Sequence, residues 1–196
     1  IKDLGVRNLF YLNVLIIALS FTFSTIAPAM ADGKKLPKPK QTENGMYTQK
    51  WFHISFLDLK EDLMEANKSG KRLVVFWEQK GCPYCKQTHE VNLRIPKIVK
   101  IITDYFVVIQ MNLWGDKEVT DFDGEVMTEK KLSQKWAVRF TPTIQFFPDN
   151  LKDIGKKSGN KAEIMRIPGY FKPFHFYHLF KYVEKKAYVK EVVKME

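Results

Sequence analysis

RLVVFWEQKGCPYCKQTHEVNL, residues 72–93, contains both cysteines of a 196-residue chain. It opens on RLVVFWE, residues 72–78, an apolar run of strand length that suits a strand buried on both faces. Cys82 and Cys85 follow at once, separated by Pro83 and Tyr84. CKQTHEVNL then reads as a helix, ending at Ile95 ahead of Pro96. The two thiols therefore belong to the junction between a buried strand and a helix N-terminus.

Two thiols at this spacing can close a structural disulfide, hold a metal or exchange electrons. A structural disulfide gains most by closing a long loop, and this one encloses only Pro83 and Tyr84. A tetrahedral zinc site needs four ligands. The sequence has no second cysteine pair, and His89 supplies at most a third ligand. Two thiolates also suit Cu(I), which leaves a copper-handling site open. Redox exchange fits best. Unpaired amides and the helix dipole at a helix start stabilise a thiolate at Cys82, and a thiolate is the attacking species in thiol–disulfide exchange. Cys85, one turn further in, is placed to attack the resulting mixed disulfide. Cys82 is thus the expected nucleophile and Cys85 the resolving thiol, in an exposed CxxC. Pro83 removes an N–H that the helix start does not need, and Pro83 and Tyr84 are positioned to adjust the reduction potential. No metal and no separate cofactor are expected.

Working outward, LDLKEDLMEANKSG (57–70) predicts a helix. Asp58 is its cap, Glu61 completes a capping-box pattern, Gly70 is its stop, and Leu59, Leu63 and Ala66 lie on one face. PKIVKIITDY begins another helix at Pro96, and FVVIQMNL (106–113) is a second buried strand. Alternation of strand and helix argues for an α/β sheet. TEKKLSQKWAV (128–138) is a short amphipathic helix with Thr128 as cap and Leu132 and Trp136 inward. TPTIQFF and IMRI read as two close strands with PDN (148–150) as the turn. From Pro173 the chain is helical, with Phe176, Phe180, Val183 and Ala187 toward the core. Between the second strand and the amphipathic helix lies an acidic insert, WGDKEVTDFDGEVM (114–127). Asp123-Gly124 signals a turn, and Val119 and Val126 fit a small hairpin. A calcium loop fails on spacing, because an EF-hand with its glycine at 124 would begin at Val119 and reach Lys130 at its last ligand.

Residues 1–31 read as a signal peptide: Lys2 and Arg7 ahead of the apolar run Leu9–Phe23, then APAMA with Ala29 and Ala31 at the cleavage positions. An uncleaved anchor is the alternative. The formal charge is +10, and the cleaved chain would keep +9 after losing Lys2, Arg7 and Asp3. Residues 32–50, polar and rich in Lys and Pro, read as a flexible lead-in, and 51–196 as the folded domain. A basic surface favours acidic partners or anionic membranes. Nucleic acid is not expected, since no zinc-finger, RRM or helix-turn-helix signature occurs and the lysines are spread along the chain.

Strand, CxxC, helix and then Phe140-Thr141-Pro142-Thr143 before another strand resembles the thioredoxin fold. The resemblance implies a central mixed β-sheet flanked by helices, with the acidic segment as an insert after the second core strand. It implies that Pro142 is a cis proline facing the cysteines and that Thr141 offers backbone hydrogen bonds to a bound substrate segment. FWEQKGCPYCKQTHEVN, FVVIQMNLWGDKEVTDFDGE, WAVRFTPTIQFFPD and PGYFKPFHF further resemble SoxW-type periplasmic thioredoxins associated with sulfur-oxidation clusters. The chain departs from ordinary thioredoxins at two positions. They carry a buried aspartate proton relay six residues before the first cysteine, where this chain has Phe76. They place Trp beside that cysteine, where this chain has Gly81. Glu78 is either a substitute carboxylate or a surface glutamate. Lys86, one turn beyond Cys82, favours the thiolate or is simply solvated. His89 is an acid–base or partner-contact candidate, or a packed surface histidine.

Together these readings point to a periplasmic thiol:disulfide oxidoreductase of the protein-disulfide reductase type. It would be monomeric and free of the membrane after cleavage. Its partners would be disulfide- or thiol-bearing periplasmic proteins and an upstream membrane electron donor. A disulfide oxidant or isomerase and a non-catalytic Cu(I)-binding chaperone are the competing readings.

Overall fold

The computed structural model describes residues 34–192; the signal-peptide reading of residues 1–31 lies outside the described residues. Two short strands come first, β1 (Lys40–Gln41) and β2 (Tyr47–Thr48), followed by α1 (Leu59–Lys68), β3 (Arg72–Glu78) and α2 (Pro83–Glu90). After a 3₁₀ turn at Asn92–Arg94 come α3 (Pro96–Tyr105), β4 (Phe106–Asn112), the hairpin β5 (Glu118–Thr120) and β6 (Val126–Thr128), and α4 (Glu129–Lys135). The chain continues through β7 (Thr143–Phe146), α5 (Leu151–Ile154), α6 (Gly159–Ala162), β8 (Met165–Pro168), α7 (Pro173–Glu184) and α8 (Ala187–Val192).

The main sheet has the order β4-β3-β7-β8. β3 runs parallel to β4, with Val75 beside Ile109, and antiparallel to β7, with Phe76 beside Ile144. β8 adds antiparallel to β7. Every residue of β3 is buried, because side chains alternate across a strand and both faces are covered. Leu73, Val75 and Trp77 pack with Leu59, Leu63, Leu132 and Trp136 on one face. Val74 and Phe76 pack with Ile98, Ile102, Phe176 and Phe180 on the other. Glu78 continues the second set, so a carboxylate stands at the β3 end nearest the cysteines, in line with Phe76.

Helix ends follow the capping residues. Asp58 Oδ1 accepts from the amides of Lys60 (3.0 Å) and Glu61 (3.1 Å) at the start of α1, and Thr128 Oγ1 accepts from Lys131 at the start of α4. Four expectations are corrected. The helix after the cysteines stops at Glu90 and tightens into the 3₁₀ turn before Ile95. The PDN segment is not a direct turn between strands: Asn150 caps α5, and α6 intervenes before β8. The C-terminal helix breaks at Lys185–Lys186, where Lys186 adopts φ 51°; Ala187 therefore starts a new helix and is only half-buried. Residues 34–50, expected to be a flexible lead-in, are tied to the domain. β1 and β2 pair, Leu36 and Arg94 exchange two hydrogen bonds of 2.8 Å, and Gln110 Nε2 donates to the Tyr47 carbonyl at 2.6 Å. Low apolar content denies this segment a core of its own, but its backbone finds partners on the domain surface.

The acidic insert forms the expected hairpin, with Val119 opposite Met127 and Val126 opposite Thr120. Three of its carboxylates converge on one cation. Lys135 Nζ lies 2.7 Å from Asp121, 2.6 Å from Asp123 and 2.8 Å from Glu125. Burial by itself would lower the pKa of the Lys135 ammonium, but the hydrogen bonds that it donates to these three carboxylates hold it well above the ordinary lysine value.

Asp62 on α1 is a second buried acid. Burial raises its pKa to about 6, against the Ser55 hydroxyl bond and the nearby His53 that favour the carboxylate; Ser55 Oγ donates to it at 2.7 Å. A folded-state pKa above the unfolded value means the native state holds the extra proton, so stability falls as pH rises from about 4 to about 6 and stays lower above that. Asp62→Asn should therefore be more stable than the parent at pH 7.5, by about 1–3 kcal/mol. The gain should vanish near pH 4, as urea denaturation at the two pH values would show.

Candidate active site

The strand end, the helix start and the loop before β7 meet at the cysteines. Cys82 is the N-cap of α2, in extended conformation, with Pro83 in the first helical turn. Cys82 and Cys85 are joined as a disulfide with Cα atoms 5.2 Å apart. The Cys85 amide points at Cys82 Sγ from 3.0 Å, which is the contact a thiolate would use at a helix start. Cys82 keeps only 6% of its surface exposed and Cys85 2%, so the pair is less open than expected from an exposed motif. The cover comes from the loop before β7. The Thr141–Pro142 peptide is cis, and the Thr141 carbonyl oxygen lies 3.5 Å from Cys82 Sγ. Thr143 Oγ1 donates to the Phe140 carbonyl at 2.8 Å, and the Gly169 amide to the Pro142 carbonyl at 2.7 Å. These two bonds pin the loop against the sheet.

Aromatic rings frame the opening. Tyr84 is 57% exposed and stacks on Tyr170 at 6.3 Å between centroids. Phe140, beside Thr141, is exposed, as is Trp114, whose indole N–H donates to Gln79. Lys86 and Pro83 are exposed. Gly81 adopts φ +74°, with open space where a Cβ would sit. The backbone there is left-handed, which explains glycine at the position next to the first cysteine.

Beneath the helix the sequence alternatives for Glu78 and His89 resolve. Neither is a surface residue: Glu78 is 1% exposed and His89 fully buried. His89 Nε2 lies 2.9 and 3.1 Å from the two Glu78 carboxylate oxygens. Gln110 Nε2 donates to the same carboxylate, and Gln49 Nε2 lies 3.1 Å from His89 Nδ1. Phe76, where thioredoxins keep a carboxylate, is fully buried against Phe52 at 5.5 Å and Phe180 at 6.4 Å. Sequence reasoning named Glu78 and His89 but not Gln49 or Gln110. Gln110 was legible only as a polar residue inside an apolar strand, and Gln49 lay in a segment read as flexible.

A mixed sheet with a Cys-X-X-Cys at the N-terminus of the helix after its central strand, opposite a cis proline, defines a thioredoxin-fold protein. The chain belongs to the thioredoxin-like domain family, whose model matches residues 59–184. Solved structures similar to it include a thioredoxin-fold protein from Helicobacter pylori, at 20% identity over 72% of this chain and 98% of that one, TM-score 0.45. A thioredoxin from Thermus thermophilus matches at 21% identity over 64% of this chain and 83% of that one, TM-score 0.48. The C-terminal domain of Neisseria meningitidis DsbD matches at 14% identity over 63% and 90%, TM-score 0.43. No curated protein matches the sequence.

Proposed function

We propose that this protein is an exported thiol:disulfide oxidoreductase that reduces disulfides or sulfur adducts on periplasmic partner proteins. The observation that carries the reading is the Cys85 amide 3.0 Å from Cys82 Sγ at the start of α2, a preformed donor for a Cys82 thiolate. In the reduced protein that thiolate attacks a partner disulfide. The partner's S–S bond breaks, one partner sulfur leaves as thiolate, and the other is held by Cys82. Cys85 then loses its proton and attacks Cys82 Sγ, releasing the second partner thiolate. Two electrons have passed to the partner, and the protein is left as the Cys82–Cys85 disulfide. An upstream membrane electron donor must reduce it again, and no further cofactor is needed. The SoxW-like segments support a setting in sulfur oxidation.

The test is the Cys82–Cys85 potential, measured by equilibration in glutathione buffers, together with insulin reduction. A value near the thioredoxin range of about −270 mV, with turnover, is expected. A value near about −120 mV would replace the reductase by an oxidant. Tight stoichiometric Cu(I) binding without turnover would replace both by a metal chaperone.

A further inference from the structure

LPKPK, residues 36–40, places a proline at every second position. Each proline fixes its own φ and pushes the residue before it, Leu36 or Lys38, to an extended backbone. The stretch is therefore a stiff ribbon. Both of its ends are fastened. The Leu36 amide donates to the Arg94 carbonyl and Arg94 Nε donates to the Leu36 carbonyl, each at 2.8 Å. At the other end Lys40 pairs with Thr48 in the β1–β2 ladder. Between this ribbon and residues 48–51 lies a hollow of about 410 Å³, within the range of roughly 300–1,000 Å³ usual for small-molecule sites. Residues 36–51, which build it, precede the matched family segment 59–184.

Its walls and its charges differ in chemistry. Leu36, Pro39 and Trp51 supply apolar surface, and the Trp51 ring is held edge-on against Phe52 at 4.8 Å between centroids. The charged residues that line it are Lys38, Lys40 and Lys50, and no acid joins them. All three lysines are exposed. Among the described residues none of the three meets a carboxylate in an ion pair. Three like charges thus surround an apolar hollow without a counter-charge, on a chain whose formal charge is already +10.

We propose that this hollow binds a small anionic amphiphile, a single short alkyl chain that carries one carboxylate or comparable anionic head. The chain lies against Leu36, Pro39 and Trp51, where its burial supplies affinity. The head stays at the rim among the three ammonium groups, whose stems can follow the chain while their charges remain in water. A cationic head would meet only like charge, and a neutral one would make no use of the lysines. The room suits one chain and not the paired chains of a bilayer phospholipid, so the ligand is a free molecule. Because Pro37 and Pro39 preset the wall and its ends are tied, little ordering is left to be done on binding. The site is independent of the exchange reaction at the cysteines.

The test is isothermal titration of the full chain with sodium decanoate, below its micelle concentration, near neutral pH and at low salt. Saturable binding of one molecule per chain is expected, with a Kd of order 10 μM. 1-Decanol and decyltrimethylammonium should bind at least about tenfold more weakly. Equal binding of all three would leave only an unselective apolar surface and would overturn the proposal. This comparison needs no variant. In the combined Lys38→Gln, Lys40→Gln and Lys50→Gln protein the preference for decanoate over decanol should disappear; a preserved preference would also overturn it. Quenching by 10-bromodecanoate locates the chain. It should dim tryptophan fluorescence in the unsubstituted protein and do so far less in Trp51→Phe, whereas equal quenching in both would place the ligand elsewhere. Sedimentation with phosphatidylglycerol vesicles in the absence of decanoate binding would assign the lysines to a membrane surface instead. A dimer that decanoate does not dissociate would assign the hollow to a second copy of the chain.

Discussion

Cys82→Ser is expected to bring insulin-disulfide reduction down to the uncatalysed background, a loss of at least about 10³-fold. Cys85→Ser should lose turnover for a different reason. Cys82 is the residue that receives the Cys85 amide bond at 3.0 Å and touches the Thr141 carbonyl at 3.5 Å, so it is the sulfur that a partner segment beside the cis proline can meet. Without it no mixed disulfide forms. Cys85 is 2% exposed and its sulfur is bonded to Cys82. Its removal leaves the first attack intact but deletes the intramolecular second, whose effective molarity is of order 10⁵ M or more when groups are well oriented. Partner proteins should therefore accumulate on the Cys85→Ser variant as adducts that survive non-reducing electrophoresis and disappear with dithiothreitol. Insulin turbidity and gel shift read the two arms. Full activity in the Cys82 variant, or equal trapping by both variants, would sink the assignment of roles.

The parts of this site that could be read in sequence were those written in local chemistry. A buried strand, two thiols and a proline-started helix follow from residues 72–93 because each uses neighbours in the chain. The loop at Thr141-Pro142 lies about 60 residues away in sequence and was reached only by resemblance, since nothing local dictates that it faces Cys82. The buried pair was half legible. Glu78 ends an apolar strand and His89 follows Cys85 by four residues, yet burial depends on what covers them. Part of the cover is Tyr47 of β2 and Gln49 just after it, in a stretch whose polar composition argued for a loose chain. Composition measures whether a segment can build a core; it does not count the backbone hydrogen bonds that it can make to a core already built. The same gap hid α5 and α6, two single-turn elements whose apolar content is too short to show a period.

Asp121→Ala is expected to be the most destabilising change in the acidic insert, by about 3–5 kcal/mol. Asp121 has no exposed surface. Its Oδ1 accepts from the amides of Phe122 at 2.7 Å and Gly159 at 3.1 Å, and its Oδ2 accepts from the Trp136 indole N–H at 3.1 Å. Alanine would strand these donors in the core, where each unmade bond costs about 1–3 kcal/mol. The packing around them is tight: Phe122 stacks on Trp136 at 6.1 Å, and a Cβ on Gly159 would fall 2.0 Å from the same indole ring. Asp123 and Glu125 also meet Lys135, but their side chains are 25% and 63% exposed, and exposed ion pairs contribute under about 1 kcal/mol. Alanine at either should shift a urea midpoint only slightly. The insert is on this reading a clamp: one buried carboxylate ties the hairpin to α4 and α6, while Lys135 gathers the charge of the others. Because that ammonium already occupies the centre of the carboxylate group, millimolar calcium should leave the urea midpoint of the unsubstituted protein unchanged. A calcium-dependent rise in stability that is lost in Asp123→Ala would show that the acidic residues serve a cation from solution instead.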